Sequence, residues 1–178
     1  MPELTAPDPR VRVSFITAME EFAAEGRGVE GDNTVLARQM RQYGHLWPDP
    51  GGFGEFTKAL LADAKETTPR LEGWVPMTTL WWVEGDEFLG RIGIRHRLTS
   101  LLVAAGGHVG YDVRPSARRR GHATAMLRAS LPVMRELGIE SALLTCDRAN
   151  VASRKVIEAN GGVYEDERDG LLRFWVPT

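Results

Sequence analysis

Residues 118–123 read Arg-Arg-Arg-Gly-His-Ala, three cations and a glycine directly before a run of apolar residues with helical spacing. The first N–H groups of a helix lack internal partners, and the helix dipole adds partial positive charge there, so this end of a helix attracts phosphate. Gly121 lets a phosphate oxygen approach the backbone without meeting a side chain, and Ala123 keeps the next inward position small. Arg118, Arg119 and Arg120 add charge around that cradle. The arrangement suits a pyrophosphate better than a nucleic-acid duplex. The competing reading is a solvated basic face with a loop glycine.

A second stretch, Asn-Val-Ala-Ser-Arg-Lys-Val-Ile-Glu-Ala-Asn-Gly-Gly from Asn150, reads as a short helix capped by asparagine and ended by glycine. The Asn150 amide has donors as well as an acceptor, so capping leaves it able to serve a ligand. Ser153 either completes the first turn or contacts that ligand.

These stretches need elements to position them. Val11, Phe15, Met19 and Phe22 form one helical stripe. Leu36, Met40 and Tyr43 form a second, and Phe53, Phe56, Leu60 and Ala64 a third. A glycine-rich polar loop, residues 25–33, separates the first two. From Trp74 the texture changes to strand: residues 75–84 and 87–98 read as an antiparallel hairpin around Gly85-Asp86. Residues 107–113 form a third strand that stops before Pro115. Next comes the helix with Ala123, Met126, Leu127, Ser130, Met134 and Leu137 on its apolar face, which Pro132 is expected to bend. Residues 139–146 suit a buried strand, and residues 163–177 close as a hairpin at Asp169-Gly170. The expectation is an α/β (α+β) fold: one mixed, mostly antiparallel sheet flanked by helices.

Composition narrows the chemistry. The chain has 178 residues, 43% hydrophobic and 26% charged, enough for one ordinary globular core. A net charge of −2 and a pI near 6.1 oppose a protein that coats nucleic acid or an anionic membrane. The single cysteine, Cys146, permits neither an internal disulfide nor a zinc cluster, so no metal is expected. Its place at the end of an apolar run suits a packed small residue. No stretch approaches the roughly 18 apolar residues of a membrane span, and the N-terminus lacks a basic segment followed by an apolar core. A cytoplasmic protein is expected.

Taken together, residues 107–161 resemble the coenzyme-A-binding half of the GNAT acetyltransferases. Their first motif, Arg or Gln, two residues, Gly, one residue, Gly or Ala, matches Arg118 to Ala123. Their second, Asn, two residues, Ala or Ser, matches Asn150 to Ser153 one strand later. The resemblance implies a GNAT fold over residues 1–178, with parallel strands splayed at the cofactor cleft. Residues 1–70 would form the helical acceptor side and 74–178 the sheet and cofactor-binding core. It also implies acetyl-CoA as co-substrate, with its pyrophosphate on the backbone of Arg119, Arg120, Gly121, His122, Ala123 and Thr124. Val113 would pair with the pantetheine arm, Asn150 would contact it with Ser153 either joining that contact or completing the first turn of its helix, and the Tyr111 N–H would polarise the thioester carbonyl.

Two features depart from the family pattern. Many members carry a tyrosine seven residues after the asparagine to protonate the departing thiolate; here that residue is Ile157, with Tyr164 the nearest substitute by sequence. A glutamate that serves some members as general base aligns with Gly107. Glu84, His96 and His108 are the remaining candidates, each with a structural reading beside the catalytic one. Trp81, Trp82 and Trp175 either line an acceptor pocket or belong to the core. The reaction expected is acyl transfer to an amine of a small molecule or peptide, in a monomer or homodimer; the rival is an acyl-CoA sensor without turnover. A nucleic-acid module is disfavoured by the charge balance.

Overall fold

The computed structural model describes residues 1–178. Helices α1 (Arg12–Ala24), α2 (Val35–Tyr43) and α3 (Pro50–Asp63) follow the three apolar stripes. Thr34 caps α2 by accepting the Ala37 N–H, and Asp49 caps α3 by accepting that of Gly52, with Pro50 in the first turn. Ahead of them lies a strand the helical reading of this region misses, β1 (Glu3–Thr5). Three residues carry no periodic signal; pairing with Trp81, Trp82 and Val83 makes them a strand.

The hairpin is β2 (Met77–Glu84) and β3 (Glu87–Arg95), turning at Gly85-Asp86. A one-turn helix, α4 (Ser100–Ala104), intervenes before β4 (Val109–Val113). Then come α5 (His122–Glu136), β5 (Ser141–Asp147), α6 (Val151–Glu158), β6 (Val163–Arg168) and β7 (Leu171–Pro177). Helix α5 continues through Pro132. The proline removes the donor for the Arg128 carbonyl, on an exposed residue where water can replace it.

The strands form two sheets, ordered β1-β2-β3-β4 and β5-β7-β6, rather than the one sheet expected from the sequence. Every ladder within them is antiparallel. The first sheet is covered on both faces. Trp81, Val83 and Phe88 pack with Phe15, Phe22, Phe53 and Phe56 of α1 and α3. Trp82, Ile92 and Ile94 pack with Met126, Leu127 and Met134 of α5 and with Leu144 and Phe174 of the second sheet.

The two sheets are joined at one point. The His108 N–H donates to the Leu143 carbonyl at 2.7 Å, and the Leu143 N–H donates to His108 Nδ1 at 2.9 Å. A Cβ on Gly107 would stand 2.2 Å from the Leu143 carbonyl oxygen, and Gly107 has φ +59°. Glycine is therefore required there both for space and for backbone conformation. From this joint β4 and β5 run in the same direction and separate.

Arg114, after β4, ties the sheet to α1. Its guanidinium donates to Glu21, to Ser14 Oγ at 3.1 Å and to the Phe88 carbonyl at 3.2 Å. Glu21 also accepts the Ser116 N–H at 2.9 Å. These bonds hold the Glu21 carboxyl below the usual range despite the opposing effect of burial.

Two outcomes follow from the joint. Gly107→Ala should cost about 3 kcal/mol in urea denaturation, combining left-handed strain with overpacking. Gly138→Ala, at φ +79° with nothing within 4 Å, should cost only the strain, about 1 kcal/mol. Burial, then the nearby Arg95 charge, lowers the His108 pKa below the ordinary histidine range. The unfolded chain thus binds the proton more readily, so the joint's contribution is complete above the unfolded histidine pKa and is lost as pH falls through the folded one. His108→Asn keeps an acceptor without titrating. Its melting temperature should fall less than that of the parent between pH 7 and pH 5.

Candidate functional site

A cavity of about 850 Å³ opens where β4 and β5 diverge. Val109 to Val113 form one wall, and Thr145, Cys146 and Asp147 the other. The first turns of α5 and α6 close one side, while Phe22, Glu25 and Arg27 come from α1 and the loop after it.

The ladder register shows how β4 meets this space. The Arg114 N–H donates to the Leu89 carbonyl and the Arg95 N–H to that of His108, bracketing the β3–β4 ladder. Alternate residues of an antiparallel strand bond the same neighbour. Gly110 and Asp112 therefore turn their main-chain groups to β3, while Val109, Tyr111 and Val113 turn theirs to the cleft. Because β4 is the edge of its sheet, no strand takes them up. Of these, the Val113 carbonyl accepts Arg118 Nε at 3.1 Å.

The loop before α5 supplies a second set of free donors. None of the six N–H groups from Arg119 to Thr124 finds a main-chain or side-chain acceptor; the first bond of the helix is Ala125 N–H to the Gly121 carbonyl at 3.0 Å. Arg119 (φ +61°) and Gly121 (φ +81°) are both left-handed, which curls the loop into a concave anion-binding shape. No protein atom lies within 4 Å of where a Gly121 Cβ would stand.

The three arginines do different things. Arg118 is a clamp: its guanidinium makes two 2.7 Å bonds to Glu25, tying the loop to the end of α1. Arg118 and Arg119 both line the cavity, as do Gly121, His122, Ala123 and Thr124, whereas Arg120 is exposed outside its lining. His122 Nδ1 accepts the Trp82 indole N–H at 3.3 Å, so its ring proton belongs on Nε2.

On α6, Asn150 Oδ1 accepts the Ser153 N–H at 3.0 Å, a helix cap that leaves the amide nitrogen free. Asn150 and Ser153 both line the cavity. Tyr111 reaches across to them, its hydroxyl 2.7 Å from Ser153 Oγ. Burial pushes that phenol up to about 12, and burial also raises the Cys146 thiol beside it. Ile157 is 1% exposed and belongs to the core.

The acid–base candidates lie elsewhere. Glu84 ends β2 and pairs with the N-terminal amine at 3.0 Å. His96 bonds Thr78 Oγ1 at 2.8 Å, and His108 belongs to the joint. Tyr164 is 54% exposed and packs edge-on against Phe174. None of the four lines the cavity. Trp81 and Trp82 are core residues, and Trp175 stands near the His108 ring rather than on the cavity wall. Gly107 leaves no room for a base, since any side chain meets Leu143.

Sequence reasoning missed Asp112, Arg27, Glu25 and the Tyr111 hydroxyl. Arg27 donates to Asp32 and to Asp112, both at 3.1 Å, linking the glycine-rich loop to β4 across 85 residues. Strand alternation could have placed Asp112 on the face opposite Tyr111; nothing local marks its partners.

A family model described as an acetyltransferase (GNAT) domain matches residues 36–163. A search of curated protein sequences finds no match. Among solved structures, RimJ of Mycobacterium smegmatis in complex with CoA-disulfide superposes with a TM-score of 0.67 at 17% identity, covering 99% of this chain and 82% of that one. The ribosomal-protein-S5-alanine acetyltransferase of Vibrio fischeri gives 0.66 at 14%, covering 99% and 92%. The microcin C7 self-immunity acetyltransferase MccE, in complex with acetyl-CoA and AMP, gives 0.65 at 10%, with the same coverage. With two splayed sheets, a loop of free donors at their mouth and a family match over most of its length, this chain belongs to the GNAT acetyltransferase family.

Proposed function

We propose that the protein transfers the acetyl group of acetyl-CoA to an amine by direct attack within a ternary complex. The observation that carries this reading is the run of six unpartnered N–H groups from Arg119 to Thr124, at the mouth of a cavity walled by an open strand edge. A diphosphate fits such a cradle, and an extended amide-bearing arm fits such an edge. The CoA and acetyl-CoA named for RimJ and MccE support the same cofactor.

In this reading the Arg119–Thr124 backbone and the Arg119 side chain hold the pyrophosphate. Arg118 fixes the loop, and Arg120 and the dipole of α5 add long-range attraction. The main-chain groups of Val109 and Val113 pair with the pantetheine, while the free Asn150 amide and Ser153 contact it. When bound, the cofactor supplies a thioester carbonyl open to attack by nitrogen. The cleft-facing Tyr111 N–H would take up charge on that carbonyl oxygen, and positioning supplies much of the remaining rate.

The C–N bond forms as the C–S bond breaks, so one proton leaves the amine and one reaches the thiolate. Of the three tyrosines only Tyr111 lines this cavity, and burial keeps its hydroxyl protonated. The Tyr111 O–H is thus the donor we assign, in place of Tyr164. Glu84, His96 and His108 do not line the cavity, so amine deprotonation would run through water. Residues 1–70 form the acceptor side of one domain, with Phe22, Glu25 and Arg27 at its boundary with the cofactor cleft. No helix is long and apolar enough to cross a membrane; a cytoplasmic placement is part of the proposal.

Ile157 in the core favours a second reading, an acyl-CoA sensor without turnover. Free-thiol release from acetyl-CoA with a panel of amines and peptides separates the two.

For the cradle, Gly121→Glu should abolish CoA binding in calorimetry by placing a carboxylate among the phosphate donors. Gly121→Ala, which carries the same left-handed strain without the charge, should bind more weakly but measurably. For the donor, Tyr111→Phe should lower kcat by about a hundredfold, the usual scale of positioned acid catalysis. Tyr164→Phe should lower it by less than about tenfold on that scale. Equal effects of the two tyrosine variants would remove the assignment.

A further inference from the structure

The face of the first sheet that turns toward α1, α2 and α3 carries a cross-strand pair of glycines. Across β2, β3 and β4 the register sets Thr79, Gly93 and Gly110 side by side, and next to them Trp81, Arg91 and Asp112. Residues directly opposite one another share a face of the sheet. The two glycines differ in what covers them: the Met77 side chain lies across Gly93, its Sδ 3.1 Å from where a Cβ would stand, whereas Gly110 is open. Gly110 lines the large cavity, and no atom lies within 4 Å of where its Cβ would stand.

Around this patch, buried donors lack partners. Arg91 is 2% exposed, yet its Nε and Nη2 find no acceptor. Its Nη2 stands 3.2 Å from the position a Gly93 Cβ would take, so the open edge of the guanidinium borders the patch. Only Nη1 approaches a carboxylate, Asp112 Oδ2 at 3.5 Å. The Thr79 hydroxyl, on a residue 4% exposed, is also unpartnered.

The other buried arginines show that this is not how the protein treats guanidinium groups in general. Arg173, equally buried, bonds Asp166, the Val103 carbonyl and Glu165 with its three nitrogens. Arg114 likewise bonds through all three. Arg91 alone keeps its Nε–Nη2 fork open, the pair of parallel donors that fits a carboxylate.

Charge on this side of the sheet is also unbalanced. Arg95 donates only to the carbonyls of Gly106 and Gly107, and Arg38 lies over the Trp74 ring at 4.8 Å without a carboxylate partner. Arg27 and Arg91 share Asp112, and Arg27 also uses Asp32. Four guanidinium groups thus meet two carboxylates.

We infer that the acceptor carries a carboxylate beside its amine, and that the Arg91 fork and the Thr79 hydroxyl hold that carboxylate beside Gly110, the flexible Met77 side chain giving way over Gly93. The inference rests on the acyl-transfer reading above. Tyr111 follows Gly110 directly, so an amine a few bonds from the bound carboxylate lies beside the cleft-facing N–H that receives the thioester carbonyl. Adding a negative charge there completes the pairing of Arg91 and offsets the surplus of cations. Neutral amines of the same length would leave both uncompensated, which is how a site built for a polar group rejects an analogue lacking it.

The test compares amino acids with their carboxamides, and amidated peptides carrying aspartate at the second position with their asparagine counterparts. Thiol release gives kcat/KM, and calorimetry gives binding of the same compounds to CoA-loaded protein. The parent should prefer carboxylates by at least about tenfold. That ratio should fall toward one in Arg91→Lys, which keeps the charge but not the fork, and in Arg91→Met, while CoA affinity stays at the parental value. Thr79→Val should lower the ratio by a smaller factor, and it covers the case in which the Arg91 variants do not fold. The peptide arm distinguishes a side-chain carboxylate from that of a free amino acid. Equal rates for acids and amides in the parent, or a preference that survives in folded Arg91 variants, overturns the inference. If no compound is acetylated yet carboxylates bind in an Arg91-dependent way, the acyl-transfer reading fails and the anion site stands; if CoA binds and no carboxylate does, the anion site fails.

Discussion

The contact between Gly107-His108 and Leu143 is the constraint on which the cleft depends. Two sheets that shared a full ladder would have no gap between β4 and β5, and two that did not touch would have no fixed angle. Two bonds at 2.7 and 2.9 Å, made possible by a residue without a side chain and joined by a third from the Gly106 N–H to Thr145 Oγ1, hold the strands together at one end and release them at the other. The strand edges left open by that separation are the cavity walls. Unpaired edges are ordinarily a hazard for aggregation; here they face a recess between two sheets.

Charge pairs then attach the N-terminal helices to this cleft. Arg114 with Glu21, Arg118 with Glu25 and Arg27 with Asp112 each join α1 or the loop after it to the segment from β4 to the cradle. The first is largely buried and hydrogen-bonded on every side, so breaking it would strand a charge. The second is about two-fifths exposed on both partners and adds geometry more than stability. Through these pairs the order of the phosphate loop depends on the acceptor-side helices, although the two are about ninety residues apart in the chain.

Buried arginine is used in two ways. Arg114 and Arg173 are saturated and act as fasteners. Arg91 is not, and it sits beside the only cross-strand glycine pair of its sheet. A fold can carry an unsatisfied cation where function uses it, which is why local inconsistencies of this kind tend to mark sites rather than scaffolds.

Much of this was legible in the chain itself. Helix stripes, the Gly85-Asp86 and Asp169-Gly170 turns, and the phosphate loop are written in residues close in sequence, where period and turn chemistry act directly. The sequence alone also determined that Asn150 caps a helix and that Gly121 and its neighbours offer free N–H groups. It could not reveal β1, because three residues become a strand only by pairing with β2. Nor could it divide the sheet, since β-ladders are non-local and the joint turns on the space at Gly107. Only the tertiary structure decided that Arg118 clamps Glu25 while Arg120 stays outside the cavity, that Tyr111 rather than Tyr164 reaches it, and that Arg91 is left with an open fork. Those outcomes depend on which side chains from distant segments converge in three dimensions, and residue type alone does not encode that convergence.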